Sequence, residues 1–67
     1  MGWHLIPGAK DKWTIRKAGS GKASRILYDE TDAMDYAKRR AREDLDFLYV
    51  HHADGRIRER IDMSKET

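Results

Sequence analysis

Most of this chain alternates apolar and polar positions in short runs, and one segment changes to a longer period. Trp3-His4-Leu5-Ile6 is an apolar run stopped by Pro7-Gly8, and proline suits a strand end or an edge. Lys12-Trp13-Thr14-Ile15-Arg16 alternates with period two, the pattern of a half-buried strand. Gly8-Ala9-Lys10-Asp11 between them reads as a hairpin loop. Ala18-Gly19-Ser20-Gly21-Lys22 is rich in glycine and serine and reads as a second loop. Ala23 to Tyr28 is expected to form a third strand, with Ile26 and Tyr28 on one side and Leu27 on the other.

The period then lengthens. Thr31 is a suitable helix N-cap, with Asp32 and Asp35 in the first turn. Ala33, Ala37 and Ala41 recur at every fourth position, and Met34, Ala37, Ala41 and Leu45 follow helical spacing on the same face. Small side chains there let the helix lie close to a sheet. Asp35 with Arg39, and Arg39 with Glu43, are opposite charges four apart on the outer side, each stabilising by about 0.2–0.5 kcal/mol.

Phe47-Leu48-Tyr49-Val50-His51 is a β-branched and aromatic run, and Arg56 to Ile61 alternates again. Asp54-Gly55 between them is a strong hairpin signal, because a two-residue type I′ turn needs positive φ at both central positions. A two-residue turn would set His52 opposite Ile57, His51 opposite Arg58, Val50 opposite Glu59, Tyr49 opposite Arg60 and Leu48 opposite Ile61. One face would then hold Leu48, Val50, His52, Ile57 and Ile61, with Glu59 intruding. The other would hold Tyr49, His51, Arg56, Arg58 and Arg60. The predicted architecture is α+β: a small β-β-β-α-β-β domain, an antiparallel sheet with one helix packed on one face.

Length and charge narrow the picture. At 67 residues the chain makes one domain, with an expected core over about 3–62 and a frayed tail over 63–67. It has no cysteine, hence no disulfide framework or thiolate metal site. No apolar stretch approaches the roughly 20 residues of a membrane helix, and no signal-peptide pattern opens the chain, so a cytoplasmic protein without membrane contact is expected. The net charge is only +2. Its distribution is uneven: residues 1–28 hold six Lys/Arg against one acid, residues 29–35 hold four acids, and residues 38–42 hold four bases. Acids at a helix start and bases toward its end complement the macrodipole, so these blocks have a structural explanation first.

Catalytic patterns are missing. None of Ser20, Ser24 and Ser64 sits in a strained strand-to-helix setting. His51 and His52 are strand neighbours pointing to opposite faces, which does not suit one metal ion. His4 is a lone histidine. Gly19-Ser20-Gly21-Lys22 lacks the rest of a phosphate-loop motif and is not followed by a helix. Trp13 is expected to be the central core aromatic. The expectation is a protein that is not an enzyme and uses no cofactor or metal.

Binding remains. The candidate surface comprises Arg16, Lys22, Arg25, Tyr49, His51, Arg56, Arg58 and Arg60. Three readings of it stand side by side. Arginines pair with phosphate oxygens while Tyr and His stack on bases, which makes it a nucleic-acid surface. Arginine stems cover exposed sheet, which makes it a solvated face. A sheet with one helix leaves its second face bare, which makes it an interface with another copy or another protein.

One resemblance covers nearly the whole chain. His4-Leu5-Ile6-Pro7, then Trp13-Thr14-Ile15-Arg16, then the Thr31-led alanine-spaced helix, then Val50-His51 and Asp54-Gly55-Arg56-Ile57-Arg58-Glu59 resemble, in order and spacing, a family of small bacterial proteins catalogued as domain of unknown function 2188. Lys12 stands before Trp13, Gly8 lies earlier than the glycine that members usually carry, and Met34-Asp35 replaces their Glu-Ala pair. The resemblance implies a compact domain with no recorded catalytic activity and carries over no catalytic or cofactor residue. It implies turn roles for Asp54 and Gly55. At the level of fold alone, three strands and a helix with a Trp-centred second strand are similar to sheet-reading DNA-binding modules of plant transcription factors and integrase arm-binding domains. Here the corresponding strands carry Lys10, Lys12, Arg16, Lys17, Lys22 and Arg25.

Overall fold

The computed structural model describes residues 2–65. Five strands and one helix follow in the expected order: β1 (Trp3–Pro7), β2 (Trp13–Lys17), β3 (Arg25–Leu27), α1 (Glu30–Glu43), β4 (Phe47–His51) and β5 (Ile57–Asp62). They form one α+β layer pair, a single sheet with α1 across one face.

The strand order is β3-β2-β1-β4-β5. The sheet is mixed, not purely antiparallel as expected. β1 and β4 run parallel, pairing Trp3 with Leu48, His4 with Tyr49 and Leu5 with Val50. The cause is the crossover. The chain leaves β3 at one edge, passes through α1 over the covered face, and returns beside β1 at the centre. A helical crossover of this kind joins parallel strands, whereas short hairpins join only antiparallel ones.

The helix begins earlier than Thr31 suggested. Asp29 is the N-cap, and its side chain accepts from the Asp32 backbone N–H at 3.0 Å. Ala33, Ala37 and Ala41 are fully buried, as their spacing implied. Arg39 lies over the Tyr36 ring at 5.3 Å, and Glu43 pairs with Arg40 at 3.5 Å, in place of the expected Arg39 pairs. The helix ends in a Schellman pattern: Leu45 N–H donates to Arg42 O at 3.1 Å and Asp46 N–H to Ala41 O at 3.0 Å. Leu45 sits in the left-handed position with φ 52°, and its side chain is 63% exposed, outside the core where its spacing had placed it.

The core lies between α1 and the sheet. Trp3, Leu5, Ile15, Leu48 and Val50 are its largest buried side chains, and complete burial of an aliphatic or aromatic side chain is worth about 1.5–3 kcal/mol each. Trp3 takes the central place expected for Trp13, which is half-buried at the margin. Met63 is buried and its N–H donates to Asp46 O at 3.1 Å, so the core extends into the segment expected to fray. Of that expected tail, Glu66 and Thr67 lie outside the described residues.

The last hairpin also differs from a two-residue turn. His52 O accepts from Gly55 N–H at 3.0 Å and His52 N–H donates to Arg56 O at 2.7 Å. The loop is therefore Ala53-Asp54-Gly55, with Gly55 at φ 95°, a three-residue turn closed by a left-handed glycine. The extra residue is absorbed by a bulge. Val50 faces Glu59 and His51 faces Ile57, with Arg58 between. Beyond the bulge the expected register holds, with Tyr49 opposite Arg60 and Leu48 opposite Ile61.

Candidate functional site

Because side chains alternate along each strand, the sheet face away from α1 is set by register. Across its middle runs one row. Arg16 pairs with His4 across β2 and β1, His4 with Tyr49 across β1 and β4, and Tyr49 with Arg60 across β4 and β5. The His4 and Tyr49 rings stack at 5.2 Å with 20° between their planes. Phe47 stacks on Tyr49 at 6.2 Å, and the Arg60 guanidinium lies over Phe47 at 5.1 Å. Gly2 makes this possible: a Cβ there would sit 2.8 Å from Tyr49 Cε2.

His4 and His51 meet on this face. Nδ1 of His4 lies 2.8 Å from Nε2 of His51, and Nδ1 of His51 lies 2.9 Å from Gly55 O. A carbonyl only accepts, so His51 Nδ1 carries a proton. With His51 neutral, its Nε2 is bare and His4 Nδ1–H donates to it. Burial lowers the His4 pKa from its ordinary 6.5, and the charges of His51, Arg16 and the amino terminus lower it further. Among the described residues no cluster of three or more His, Cys, Asp or Glu is placed to hold a metal ion.

Beside the pair, the β2–β3 loop rises over the sheet and forms an open cleft of about 320 Å³. Its walls include His4, Ile6, Arg16, His51 and residues 18–20, and none of the described residues lining it is acidic.

The residues singled out from sequence divide into three groups. Arg16, Tyr49, His51 and Arg60 share the bare face. Arg25 and Arg58 do not: Arg25 lies over Tyr36 of α1 at 5.7 Å, and Arg58 reaches Glu30 at 3.9 Å. The bulge carries Arg58 to the helix side, so the expected row of Arg56, Arg58 and Arg60 does not exist. Arg56 folds onto Asp54 at the turn at 2.8 Å, and Lys22 is exposed in the β2–β3 loop. Sequence reasoning missed His4 and Phe47. His4 lies in a run that reads as apolar, and its outward position shows only in the burial pattern of β1. Its neighbour is also absent from the local pattern, because the β1–β4 pairing is parallel and long-range.

A family model described as "Uncharacterized protein conserved in bacteria (DUF2188)" matches residues 3–63. The chain belongs to that family. The match spans β1 through β5 and ends on Met63, the last buried residue among those described. Neither the proteins of curated function nor the solved structures include one similar to it. No helix among the described residues is long and apolar enough to cross a membrane.

Proposed function

We propose that this DUF2188 protein is a small non-enzymatic binding module that lays the phosphate backbone of a nucleic acid across its bare sheet face. The observation that carries the reading is the row Arg16, His4, Tyr49, Arg60. Its two arginines stand at the ends of a stacked aromatic centre, and neither is in an ion pair with a carboxylate among the described residues. Adjacent strands lie about 4.8 Å apart, so the guanidiniums are spaced to meet separate phosphates of one strand. Three other cations are paired with carboxylates: Lys17 with Asp44 at 3.3 Å, Arg56 with Asp54 and Arg58 with Glu30. Backbone contacts of this kind position a nucleic acid without reading its sequence.

The test is fluorescence anisotropy with a labelled mixed-sequence oligonucleotide, single-stranded and duplex, over a range of salt. Binding is expected to weaken steeply as salt rises, with Arg16→Gln and Arg60→Gln each reducing the salt slope by about one. Absence of binding at low salt removes the reading.

A second reading is self-association through the same face. Ile26 and Ile57 are 40% and 56% exposed, and both fall on the bare side by register. The sheet edges are poor alternatives, since β3 spans three residues and β5 is bulged and charged. A mass of 7.8 kDa by light scattering at all concentrations removes this second reading.

A further inference from the structure

We propose that the cleft between His4, Arg16 and the β2–β3 loop is a phosphate site whose strength is set by one proton shared between His4 and His51. This deepens the sheet-face reading and rests on it only for the source of the phosphate.

His51 Nδ1 is held to Gly55 O, and His51 Nε2 to His4 Nδ1. His4 Nε2 has no partner among the described residues. With both rings neutral, that nitrogen is a bare acceptor and repels an anion. One added proton has two places to reside. On His4, it sits at Nε2. On His51, that ring donates through Nε2 to His4 Nδ1, and the neutral His4 again carries its hydrogen at Nε2. Both microstates turn His4 Nε2 from acceptor to donor. A second proton would set two N–H groups against each other across 2.8 Å, so the pair takes up one charge while the contact lasts.

The surroundings favour an anion as the partner of that donor. Arg16 pairs with His4 across the strands and lines the same cleft, supplying a permanent guanidinium. Lys17 lines it too, with its ammonium held by Asp44. Tyr49 stacks on His4. Ile6 makes one wall apolar, and no acid among the described residues competes. Burial first, and the positive charge of Arg16 after it, lower the His4 pKa, and a bound phosphate would offset that charge.

The experiment is an imidazole-nitrogen NMR titration of the full chain against pH, with inorganic phosphate and with chloride at matched ionic strength. Phosphate is expected to raise the titration midpoint of His4 by about one unit and to shift the Arg16 side chain and the amides of residues 18–20. Arg16→Gln is expected to abolish the effect, and His4→Gln to leave weak phosphate shifts that no longer depend on pH. Equal changes with chloride, or a midpoint unmoved by phosphate, overturn the site. An oligonucleotide is then added, with and without a 5′-phosphate. If cleft signals respond to both strands, the ligand is a backbone phosphodiester; if only to the phosphorylated one, it is a terminal phosphomonoester. Oligonucleotide shifts confined to Tyr49 and Arg60, sparing His4 and Arg16, overturn this site and leave nucleic-acid binding only to the β4–β5 half of the row. Phosphate binding without any oligonucleotide binding supports the site and removes the sheet-face reading.

Discussion

Trp3 and Asp44, 41 positions apart, are joined by a hydrogen bond in which the indole Nε1–H donates to Oδ2 at 2.8 Å. The bond ties the first strand to the end of the helix. Lys17 reaches the same carboxylate at 3.3 Å, and the Arg40 guanidinium lies over the indole at 4.8 Å. The indole itself is 1% exposed. Its single polar atom therefore meets a carboxylate at the rim of the core, and its rings fill the centre.

Loss of that ring is expected to be severe. Trp3→Ala should cost about 3–5 kcal/mol, enough to unfold most of a domain this small at room temperature. Asp44→Ala should be milder. The Trp3 hydrogen bond first, and Lys17 next, hold the Asp44 carboxyl below its ordinary 3.8. A carboxyl with a lowered folded pKa adds stability above its unfolded value, and that stability is lost as pH falls through the folded value. Urea titrations should show Asp44→Ala weakened at neutral pH and converging with the parent in strong acid.

Leu45 should be improvable. It occupies the left-handed C′ position at φ 52° with an exposed side chain, a conformation costing a non-glycine residue about 1–2 kcal/mol. Leu45→Gly relieves that strain and gives up little burial. The expected outcome is a gain of about 1 kcal/mol in urea unfolding, with an unchanged m-value.

Gly2 should resist replacement for two reasons. Its φ of 146° disfavours any L side chain, and a Cβ would lie 2.8 Å from Tyr49 Cε2 and 3.2 Å from Phe47 O. Gly2→Ala should destabilise by about 1–3 kcal/mol and push the Tyr49 ring out of its stack on His4. Tyr49 fluorescence and ring-proton shifts would register the displacement before any change in helix content.

His4 should impose a pH dependence on stability near neutrality. Burial foremost, and then the charges of His51 and Arg16, lower its pKa below 6.5. Between the folded value and 6.5 the unfolded chain binds more protons than the folded one, so stability is complete above 6.5 and declines as pH falls through that window. His4→Gln should flatten this part of the curve, measured by urea midpoints over roughly pH 5 to 8.

Local chemistry was legible in the chain; partnership across the sheet was not. The alternation around Trp13 to Arg16 and Phe47 to His51, the alanine spacing of the helix, and the loops at 8–11 and 18–22 depend on neighbours a few residues apart, so the α+β order and the family could be read directly. Three misplacements have separate causes, each outside the local pattern. Asp29 rather than Thr31 caps the helix because both residue types accept from an N-terminal amide, and only backbone placement selects between them. Arg58 moved to the helix side because turn length decides on which side of a bulge each later residue falls, and period-two alternation inverts with a single inserted residue. Trp3 displaced Trp13 from the centre because β1, not β2, is the middle strand.

The candidate site follows the same division. Arg16, Tyr49, His51 and Arg60 were nameable from residue type and alternation alone. That His4 lies against His51, with Arg16 beside it, was decided only by the helical crossover that lays β4 parallel to β1. A hairpin encodes its partner in the turn that joins it. A parallel pair is joined by a whole helix and encodes its register in packing against the core, where no short-range pattern records it.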